Sequence, residues 1–370
     1  MTCPFAKFAS MLPASAHKHA ALHPPTTGKV TLTLSDALRV GTAASHRAVE
    51  KSRGVSLLLQ SHPTASSSAL DEGLTFERLD YVRFNIMLAC IYAALEASMY
   101  TARSSIALKA LFDDTGLVAA LVRSRGLEAD IAAHLDVIHS HTGAALADLA
   151  EHARETATDE DTEDTHSRAE LLHLYTASLP LAARLAPTWS PTGLTHDHIA
   201  LLTPAQLTAT LLYARRLSAL ASDGDRLLAH AYTRYLGDLS GGQHILRKVS
   251  RRFPHPSAGF AFYAFDDKDL KRRFRDALEH APLAGVESVV HEANAAFGLN
   301  TQLFESLLPP ELRMEQLEQE GDVGKAQGAV VDTWPDQVVA VASALLVAVS
   351  TAVWIRHLLA GSAPVGDVYA

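Results

Sequence analysis

The chain has 370 residues, of which 48% are hydrophobic and 20% charged, so it is long enough to bury a substantial core. Aromatic residues make up only 6%, whereas alanine and leucine are abundant, a composition that favours helices over sheets. The net charge of −9 argues against non-specific binding, so no nucleic-acid partner is expected. Two cysteines provide neither a disulfide framework nor the spacing of a zinc site, which favours a reducing compartment.

The first expected helix follows an N-terminal arm. Residues 1–33 are rich in serine, threonine, alanine and histidine and contain no aspartate or glutamate, so we expect this arm to be disordered. Ser35 and Asp36 provide a helix start, because a capping serine is followed by an acid in the first turn. The helix is predicted to run through LSDALRVGTAASHRAVEKSRG and to stop at Gly54.

The middle of the chain predicts further helices and one long loop. Residues 76–100 are expected to form one strong helix, and residues 101–150 two more. The run RETATDEDTEDTHSRAE at 154–170 is acidic and rich in threonine, which predicts a solvated loop. No stretch alternates with a period of two for long enough to be a strand, so the fold class is all-α. The remaining helices are predicted at 170–182, 203–221, 224–253, 267–280 and 284–307.

Three glycines interrupt one of these helical patterns. The stretch YLGDLSGGQHIL contains Gly237, Gly241 and Gly242, although each glycine in a helix interior costs roughly 1 kcal/mol relative to alanine. The glycines fit a helix C-cap, a close crossing of two helices, or a backbone surface that lies against a flat ligand. The carboxylate of Asp238 among them favours the third explanation, because it can hold water over a metal.

The C-terminal part predicts a membrane anchor. Residues 309–337 are polar and begin with two prolines, which indicates a linker. Residues 338–355, VVAVASALLVAVSTAVWI, carry no charge over about the minimum length of a transmembrane helix. A buried core helix is the alternative. Only the tail 356–370 follows, so we expect the span to insert after the preceding part has been made and to leave that part in the cytosol.

Three groups of polar residues are candidates for chemistry. His46 and Glu50 are one helical turn apart, so the carboxylate can orient the imidazole and leave its other nitrogen as a metal ligand; an ordinary surface pair is the alternative. Asn300 interrupts an apolar stripe on the last predicted helix, and a buried amide needs hydrogen-bond partners. Lys271 and Arg275 are also one turn apart and are suited either to binding carboxylates or to a solvated basic face.

Four segments, in the same order, resemble the haem (heme) oxygenase family. AHAYTRYLGDLSGGQ (229–243) resembles the family signature, and LSDALRVGTAASHRAVE (34–50) resembles the helix that carries the proximal ligand. IYAALE (91–96) and AAFGLNTQLFESL (295–307) resemble two further family segments. The C-terminal span also resembles the tail anchor of the eukaryotic microsomal members.

The resemblance implies a fold. A single all-α catalytic domain is expected over 34–308, with heme sandwiched between a proximal helix and a kinked, glycine-rich distal helix. Its segment at about 101–200 is longer than in compact members of the family, and the acidic loop has no obvious counterpart in them.

The resemblance also implies residue roles. His46 is expected to be the proximal ligand of the heme iron, with Glu50 as its partner, and Asp238 the distal carboxylate that organises water beside bound O₂. The other members of this water network are expected to be Tyr92, Thr233, Arg234 and Asn300. The remaining heme contacts are expected from Arg39, Tyr232, Lys271 and Arg275 at the propionates, from Gly237, Gly241 and Gly242 on the distal helix, and from Phe297 and Phe304 as pocket-lining aromatics.

The activity that the resemblance implies is oxidative cleavage of heme b to biliverdin, CO and Fe²⁺. This reaction uses O₂ and electrons from NADPH, delivered by a donor of the NADPH–cytochrome P450 reductase type, and biliverdin reductase is a further expected partner. The expected location is the endoplasmic reticulum membrane, with the catalytic domain facing the cytosol. The alternatives are a non-catalytic heme-binding sensor or carrier on the same fold, and a membrane-tethered helical adaptor whose glycines serve only close packing.

Overall fold

The computed structural model describes residues 33–60, 76–155, 162–255, 258–282 and 285–313. All of them belong to one compact unit, Met1–Arg313, and they contain helices and loops but no strand. The all-α prediction is therefore confirmed for this part of the chain. The predicted arm, except for residue 33, and nearly all of the predicted linker, together with the transmembrane segment 338–355 and the tail, lie outside the described residues.

The described part of the chain contains fifteen α-helices, which we number in chain order. A single π-helical turn, Asp238–Gly242, joins α12 to α13, and a short 3₁₀ turn, Ala261–Tyr263, precedes α14. The helices are α1 (Leu34–Gly41), α2 (Ala43–Lys51), α3 (Arg53–Leu59), α4 (Arg78–Thr101), α5 (Lys109–Phe112), α6 (Thr115–Leu121), α7 (Ser124–Thr142), α8 (Leu146–Glu155), α9 (Thr162–Ala183), α10 (His196–Ala200), α11 (Pro204–Ala219), α12 (Gly224–Gly237), α13 (Gln243–Arg252), α14 (Leu270–Glu279) and α15 (Val286–Glu305).

Helix α4 forms the centre of the core. Every residue from Tyr81 to Met99 except Arg83 is buried, and the helix packs against α7, α9, α11 and α12. Among the described helices it is the one with the length and apolar character to cross a membrane, but 94% of its apolar window is buried inside the protein. Such burial is typical of the core helix of a folded domain, so α4 is weak evidence for membrane insertion.

The N-terminal helix is shorter than predicted, and its expected end at Gly54 is wrong. The helical pattern breaks at Thr42, and α2 ends at Lys51. Ser52 then starts a new helix, α3, because its hydroxyl accepts a hydrogen bond from the backbone N–H of Val55 at 3.3 Å. Gly54 lies inside α3, where a Cβ atom would sit 1.9 Å from the carbonyl oxygen of Phe304. This glycine therefore allows a close approach to α15 and does not terminate a helix.

The prediction of a solvated loop over 154–170 is wrong from Thr162 onward, where α9 begins. Tertiary contacts stabilise this helical start. The guanidinium group of Arg168 donates to the carbonyls of Ile199 at 2.7 Å and Leu202 at 2.9 Å, and Glu170 pairs with Arg215. These partners are distant in sequence, so the local composition did not reveal them.

Helix α15 lies between the two parts of the molecule that carry the candidate residues. It packs against α1, α2 and α3 on the N-terminal side and against α11 and α12. The amide of Asn294 joins α15 to the first two helices, because its Oδ1 accepts from the hydroxyl of Ser45 at 2.5 Å and its Nδ2 donates to the carbonyl of Gly41 at 3.1 Å.

Candidate active site

A cavity opens between α2, α4, α15 and the glycine-rich stretch. The empty space at this cavity is about 800 Å³, a figure that includes the solvent at its open mouth. Most of the predicted site residues line it: His46, Glu50, Thr233, Arg234, Gly237, Asp238, Gly241, Gly242, Phe297, Asn300 and Phe304. The structure thus brings together residues that are more than 250 positions apart in the chain.

The wall that α2 forms presents an accessible imidazole. The Nδ1 atom of His46 is 3.5 Å from Oε1 of Glu50, and the His46 side chain is 55% exposed. The ring of Phe297 meets the imidazole edge-on at 5.5 Å between ring centroids. Because Nδ1 faces the carboxylate, Nε2 is the atom available to bind a metal.

The opposite wall is one continuous helix with a π-helical turn. Gly237 and Gly242 have right-handed helical backbone angles, φ −58° and −54° respectively, so the C-cap explanation of the glycines is wrong. A Cβ atom at Gly237 would meet no other atom within 4 Å, so this glycine faces open space and is not required for a helix crossing. π-Helical turns within α-helices are frequent at functional sites.

A hydrogen-bonded network of four buried side chains lies behind this wall. The hydroxyl of Tyr92 donates to the Asp238 carboxylate. The guanidinium group of Arg234 donates from Nε to the Tyr92 hydroxyl at 3.2 Å and from Nη1 to Oδ1 of Asn300 at 2.6 Å. The expected polar partners of Asn300 are therefore present as direct bonds. Thr233 is the exception, since its hydroxyl donates to the carbonyl of Ala229 at 3.0 Å within its own helix.

Burial changes the acidity of this network. It raises the pKa of Asp238 to about 6, against the opposing effect of the Arg234 charge and the Tyr92 hydrogen bond. Burial also raises the pKa of the Tyr92 hydroxyl. A carboxyl group with a pKa near 6 can both hold and release a proton close to neutral pH.

A second cavity, with an empty volume of about 620 Å³, is lined by Arg39, Tyr232 and Arg275. These are three of the four residues expected at the propionates. Lys271, the fourth, is not among its lining residues, but it lies one turn before Arg275, whose charge adds to burial in lowering the Lys271 pKa. Arg39 is paired with Asp36 at 3.1 Å, and both side chains are largely exposed, so this pair contributes little to stability.

The comparisons with known proteins match the part of the chain that contains the glycine-rich wall of the cavity. Residues 204–306 match the family model described as heme oxygenase. This part of the chain is therefore similar to heme oxygenases.

Curated relatives match this chain over part of their length. The heme oxygenase of Porphyra purpurea is 46% identical over 109 residues, which are 27% of this chain and 46% of the relative. Heme oxygenase 1 of Synechocystis sp. is 39% identical over 127 residues, 32% and 48% respectively. Human heme oxygenase 1 is 42% identical over 106 residues, 26% and 36%. The chain thus spans about half the length of the first two relatives or less, and about a third of the human protein.

Solved heme oxygenase structures align over more of the chain. The enzyme from Leptospira interrogans covers 75% of this chain and 100% of its own, with 22% identity and a TM-score of 0.46. Heme oxygenase-1 from Synechocystis sp. in complex with heme covers 79% and 99%, also with 22% identity and a TM-score of 0.46.

The residues present fit a heme group as the family would hold it. An imidazole nitrogen is free to ligate iron, and the glycine backbone leaves open space where a flat ring needs close approach. The second cavity combines the cationic and phenolic side chains of Arg39, Tyr232 and Arg275 with the carboxylates of Asp36 and Glu279, so it can bind a carboxylate only through the first three. The aromatic rings of Phe297 and Phe304 line the first cavity.

Sequence reasoning missed several residues around this cavity. Phe84 and Leu88 line the cavity and lie on the same face of α4 as Tyr92, so helical periodicity from Tyr92 would have found them. Phe262 and Tyr263 also line the cavity, but they come from a short turn with no helical pattern. The other lining residues that were missed are Val49, Val55 and Ile245.

A buried ion-pair cluster behind the network was missed as well. Nε2 of His230 is 2.9 Å from Oε1 of Glu292, which also accepts from Nε of Arg216 at 2.9 Å. Burial raises the pKa of Glu292, but the hydrogen bonds from His230 and Arg216 outweigh it and hold that pKa at about 2. The cluster joins α11, α12 and α15, and so fixes the helix that carries Arg234 against the helix that carries Asn300.

Proposed function

We propose that the protein is a heme oxygenase that cleaves heme b oxidatively to biliverdin, CO and Fe²⁺, using O₂ and electrons from an NADPH-dependent reductase. The observation that carries this proposal is that His46 and the Asp238 network line one cavity from opposite walls. An iron-binding imidazole on one side and a protonatable carboxyl group on the other are the two groups that such a reaction needs from the protein.

Heme, when bound, supplies both the iron that activates O₂ and the ring that is cleaved. His46 would hold the iron from the α2 wall, and the Glu50 carboxylate, 3.5 Å from its Nδ1, is placed to keep Nε2 directed into the cavity. A neutral imidazole would donate less electron density to the iron than a thiolate does. On the other wall the backbone of Gly237 and Gly241 leaves the ring room to approach.

Asp238 is the proton-holding residue in this proposal. Its carboxyl group is buried at the cavity wall, and its pKa of about 6 places it close to neutral pH. Tyr92 fixes one carboxylate oxygen, and Arg234 holds Tyr92 and Asn300 in place. The protein would thus present a proton donor at a fixed position on the cavity wall, where its carboxyl group could also orient water.

The orientation of the ring within the cavity follows from the basic residues. Arg39, Tyr232, Lys271 and Arg275 are proposed to bind the propionates, which places one edge of the ring against the Asp238 side. Phe297 and Phe304 pack against the ring and exclude water.

Partners and location belong to the same proposal. The electron donor is proposed to be of the NADPH–cytochrome P450 reductase type, with biliverdin reductase as a further partner that removes the product. The uncharged segment 338–355 is proposed to anchor the chain in the endoplasmic reticulum membrane with the catalytic part in the cytosol.

Titration of the full chain with hemin tests this function. We expect a Soret band, and conversion of the bound heme to biliverdin when a reductase and NADPH, or ascorbate, are added. Absence of the Soret band would contradict heme binding and favour an adaptor. A Soret band without biliverdin would contradict the activity and favour a heme sensor or carrier.

A further inference from the structure

Three residues at the start of α7 hold the turn Ala261–Tyr263 against the core. Arg123 directly precedes α7, and Gly126 and Asp130 lie within its first two turns. The three are spaced by three and four positions, so they project from the same side of the helix. We call these three residues the α7 face.

The guanidinium group of Arg123 bonds to the end of the turn. Its Nη1 atom donates to the carbonyl of Phe262 at 3.0 Å and to that of Ala264 at 2.9 Å. Arg123 is only 6% exposed, and its backbone N–H donates to Oε1 of Glu96 on α4 at 2.6 Å. A buried charge is costly unless it is hydrogen-bonded, so these bonds fix Arg123 as a link between α4, α7 and the turn.

Asp130 and Gly126 hold the beginning of the turn. The buried carboxylate of Asp130 accepts hydrogen bonds from the backbone N–H groups of Ala261 at 2.6 Å and Phe262 at 2.9 Å. A Cβ atom at Gly126 would lie 2.8 Å from the carbonyl carbon of Ala261 and from the nitrogen of Phe262. The backbone of the turn therefore rests directly on α7, and a residue larger than glycine would push the two apart.

The first ring on the turn packs against the Asp238 network. Phe262 is buried and lines the cavity. Its ring meets the ring of Tyr92 edge-on, at 5.5 Å between centroids. Tyr92 is the residue whose hydroxyl donates to the Asp238 carboxylate. Because the interior is closely packed, a displacement of the turn must also displace the ring that holds Asp238.

The second ring on the turn packs against the glycine-rich wall. Tyr263 lines the cavity, and a Cβ atom at Gly242 would lie 3.4 Å from its ring. The side-chain amide of Gln243 donates to the carbonyl of Tyr263 at 2.9 Å. The turn is thus held between α7 on one side and the helix that carries Asp238 on the other.

Arg123 also acts on Asp238 through its charge. Burial raises the pKa of Asp238, and the charge of Arg234, the hydrogen bond from Tyr92 and the charge of Arg123 oppose this effect. A charge acts over a distance that a hydrogen bond does not span, so this effect can be measured separately from the bonds to the turn. The other titratable groups that interact with Asp238 are Tyr213, Tyr235 and Tyr263.

We propose that Arg123, Gly126 and Asp130 are positioning residues of the candidate active site. They fix the turn, the turn fixes the rings of Phe262 and Tyr92, and Tyr92 fixes the carboxyl group of Asp238. Within the described part of the chain none of the three lines the cavity, so they act through other residues. The geometric part of this proposal stands alone, whereas its effect on turnover rests on the proposed function.

The first test needs no heme. In the infrared spectrum of the heme-free full chain, the carboxyl band of Asp238 is the band that Asp238→Asn removes. Arg123→Met should move the titration of this band to higher pH, because a positive charge that favours the carboxylate is gone. Arg123→Lys, which keeps the charge, should restore most of the parent's titration pH.

The matched control for the charge is Arg125→Met. It removes an exposed charge two positions along the same segment and should leave the titration of the Asp238 band unchanged. An Asp238 band that titrates at the same pH in Arg123→Met as in the parent overturns the proposal.

A steric variant leaves every charge in place. Gly126→Ala should push the turn away from α7 and so change the frequency of the Asp238 band, because the hydrogen bond from Tyr92 is altered. The matched control is Gly116→Ala, where the nearest atoms would be 3.5 Å from the new Cβ and the band should not change. A folded Gly126→Ala protein with the parent's frequency overturns the proposal.

A further measurement does not depend on the folding of any variant. In hydrogen exchange of the parent, the backbone N–H groups of Ala261 and Phe262 should exchange as slowly as those in the middle of α4. Amides in short turns without stable partners exchange quickly. Fast exchange of these two amides would show that Asp130 does not hold the turn and would overturn the proposal.

The kinetic effect rests on the proposed function. Gly126→Ala should lower the turnover of bound heme to biliverdin by about 10- to 100-fold, because a remote displacement of about 1 Å can have an effect of this size. The hemin affinity from the Soret titration should change much less. Equal losses of affinity and turnover would mean that the turn only shapes the cavity, and would overturn the positioning role.

The two proposals fail in different ways. A parent that binds hemin but forms no biliverdin contradicts the proposed function, while the infrared and hydrogen-exchange measurements still decide whether the α7 face positions Asp238. With an active parent, normal turnover in Gly126→Ala overturns the positioning role and leaves the proposed function intact.

Discussion

The two walls of the cavity differ in how much of their order exists before a ligand binds. On the α2 wall, the His46 side chain is 55% exposed and has one long contact, 3.5 Å from Glu50, and α2 has no buried residue. On the opposite wall, Tyr92, Arg234, Asp238 and Asn300 are all less than 10% exposed and bonded to one another. Folding alone therefore organises the wall that carries Asp238. The α2 wall gains its final order only when a ligand binds.

The largest expected effect comes from breaking the distal network. Arg234→Met removes the buried charge beside Asp238 and leaves the Tyr92 hydroxyl and the Asn300 amide oxygen without their donor. We expect a loss of about 3–5 kcal/mol in the free energy of unfolding, measured by urea denaturation of the heme-free protein. The matched variant on the other wall, Arg47→Met at an exposed position of α2, should change the stability by less than about 0.5 kcal/mol. Similar effects for both variants would contradict the difference between the walls.

The pH dependence of stability should separate two buried carboxyl groups. Because the pKa of Asp238 is raised to about 6, the folded state holds a proton that the unfolded state releases, so this group lowers stability as pH rises from about 4 to 6. The amplitude is about 3 kcal/mol. Asp238→Asn should remove the contribution of Asp238 to this decline, whereas Glu96 and Asp130, whose pKa values burial raises to about 7 and about 6, should keep theirs.

Glu292 provides the opposite sign for the same experiment. Its pKa is held at about 2, so it adds stability above its unfolded pKa and loses this contribution as pH falls from about 4.5 towards 2. Glu292→Gln should remove that acid-side loss and leave the decline between pH 4 and 6 in place. Profiles of the same sign for the two variants would show that the assignment of the raised and lowered pKa values is wrong.

Two glycines differ in how much space surrounds them, and alanine substitutions test this difference. Gly54→Ala would place a Cβ atom 1.9 Å from the Phe304 carbonyl oxygen, so we expect a destabilisation of about 1–3 kcal/mol from overpacking. Gly237→Ala meets no atom within 4 Å and should stabilise the heme-free protein by about 0.5–1 kcal/mol. The same methyl group should weaken hemin binding, because it projects into the cavity. Destabilisation by Gly237→Ala would mean that this glycine serves helix packing.

The smallest effect on stability is expected at His46. His46→Ala should change the free energy of unfolding of the heme-free protein by less than about 0.5 kcal/mol, because the side chain is exposed and weakly bonded. The variant should nevertheless lose the Soret band of the hemin complex, and added imidazole should restore part of it. A full Soret band and normal turnover of this variant without imidazole would contradict the assignment of His46 as the iron ligand.

The part of the site that sequence could predict is the part whose signal is local. The interrupted glycine pattern predicted a ligand wall around Gly237, and Asn300 stood out as an amide in an apolar stripe; both interpretations agree with the geometry. Helical spacing also made the His46–Glu50 pair a candidate, the resemblance gave roles to His46 and Asp238, and the structure brings both to one cavity. Local periodicity suffices for His46 and Asn300 because each lies on a regular helix.

The part that could not be predicted depends on contacts between distant segments. The start of α9 is stabilised by the bonds from Arg168 to two carbonyls more than 30 positions away. Tyr263 reaches the cavity because Asp130 holds its turn, and nothing in the turn itself indicates this. A capping serine at Ser52 is visible in the sequence, but a nearby glycine suggested an ending there. Tertiary partners decided each of these cases.

Helix α15 sets the distance between the two walls of the cavity. Asn294 fixes its contact with the proximal helices at Ser45 and Gly41, and Asn300 fixes its contact with the distal network through Arg234. The two amides lie six positions apart on the helix, which is about 9 Å along its axis. One residue inserted between them would turn one amide by about 100° relative to the other. The alignment of the His46 wall with the Asp238 wall is therefore set by the number of residues in a single helix.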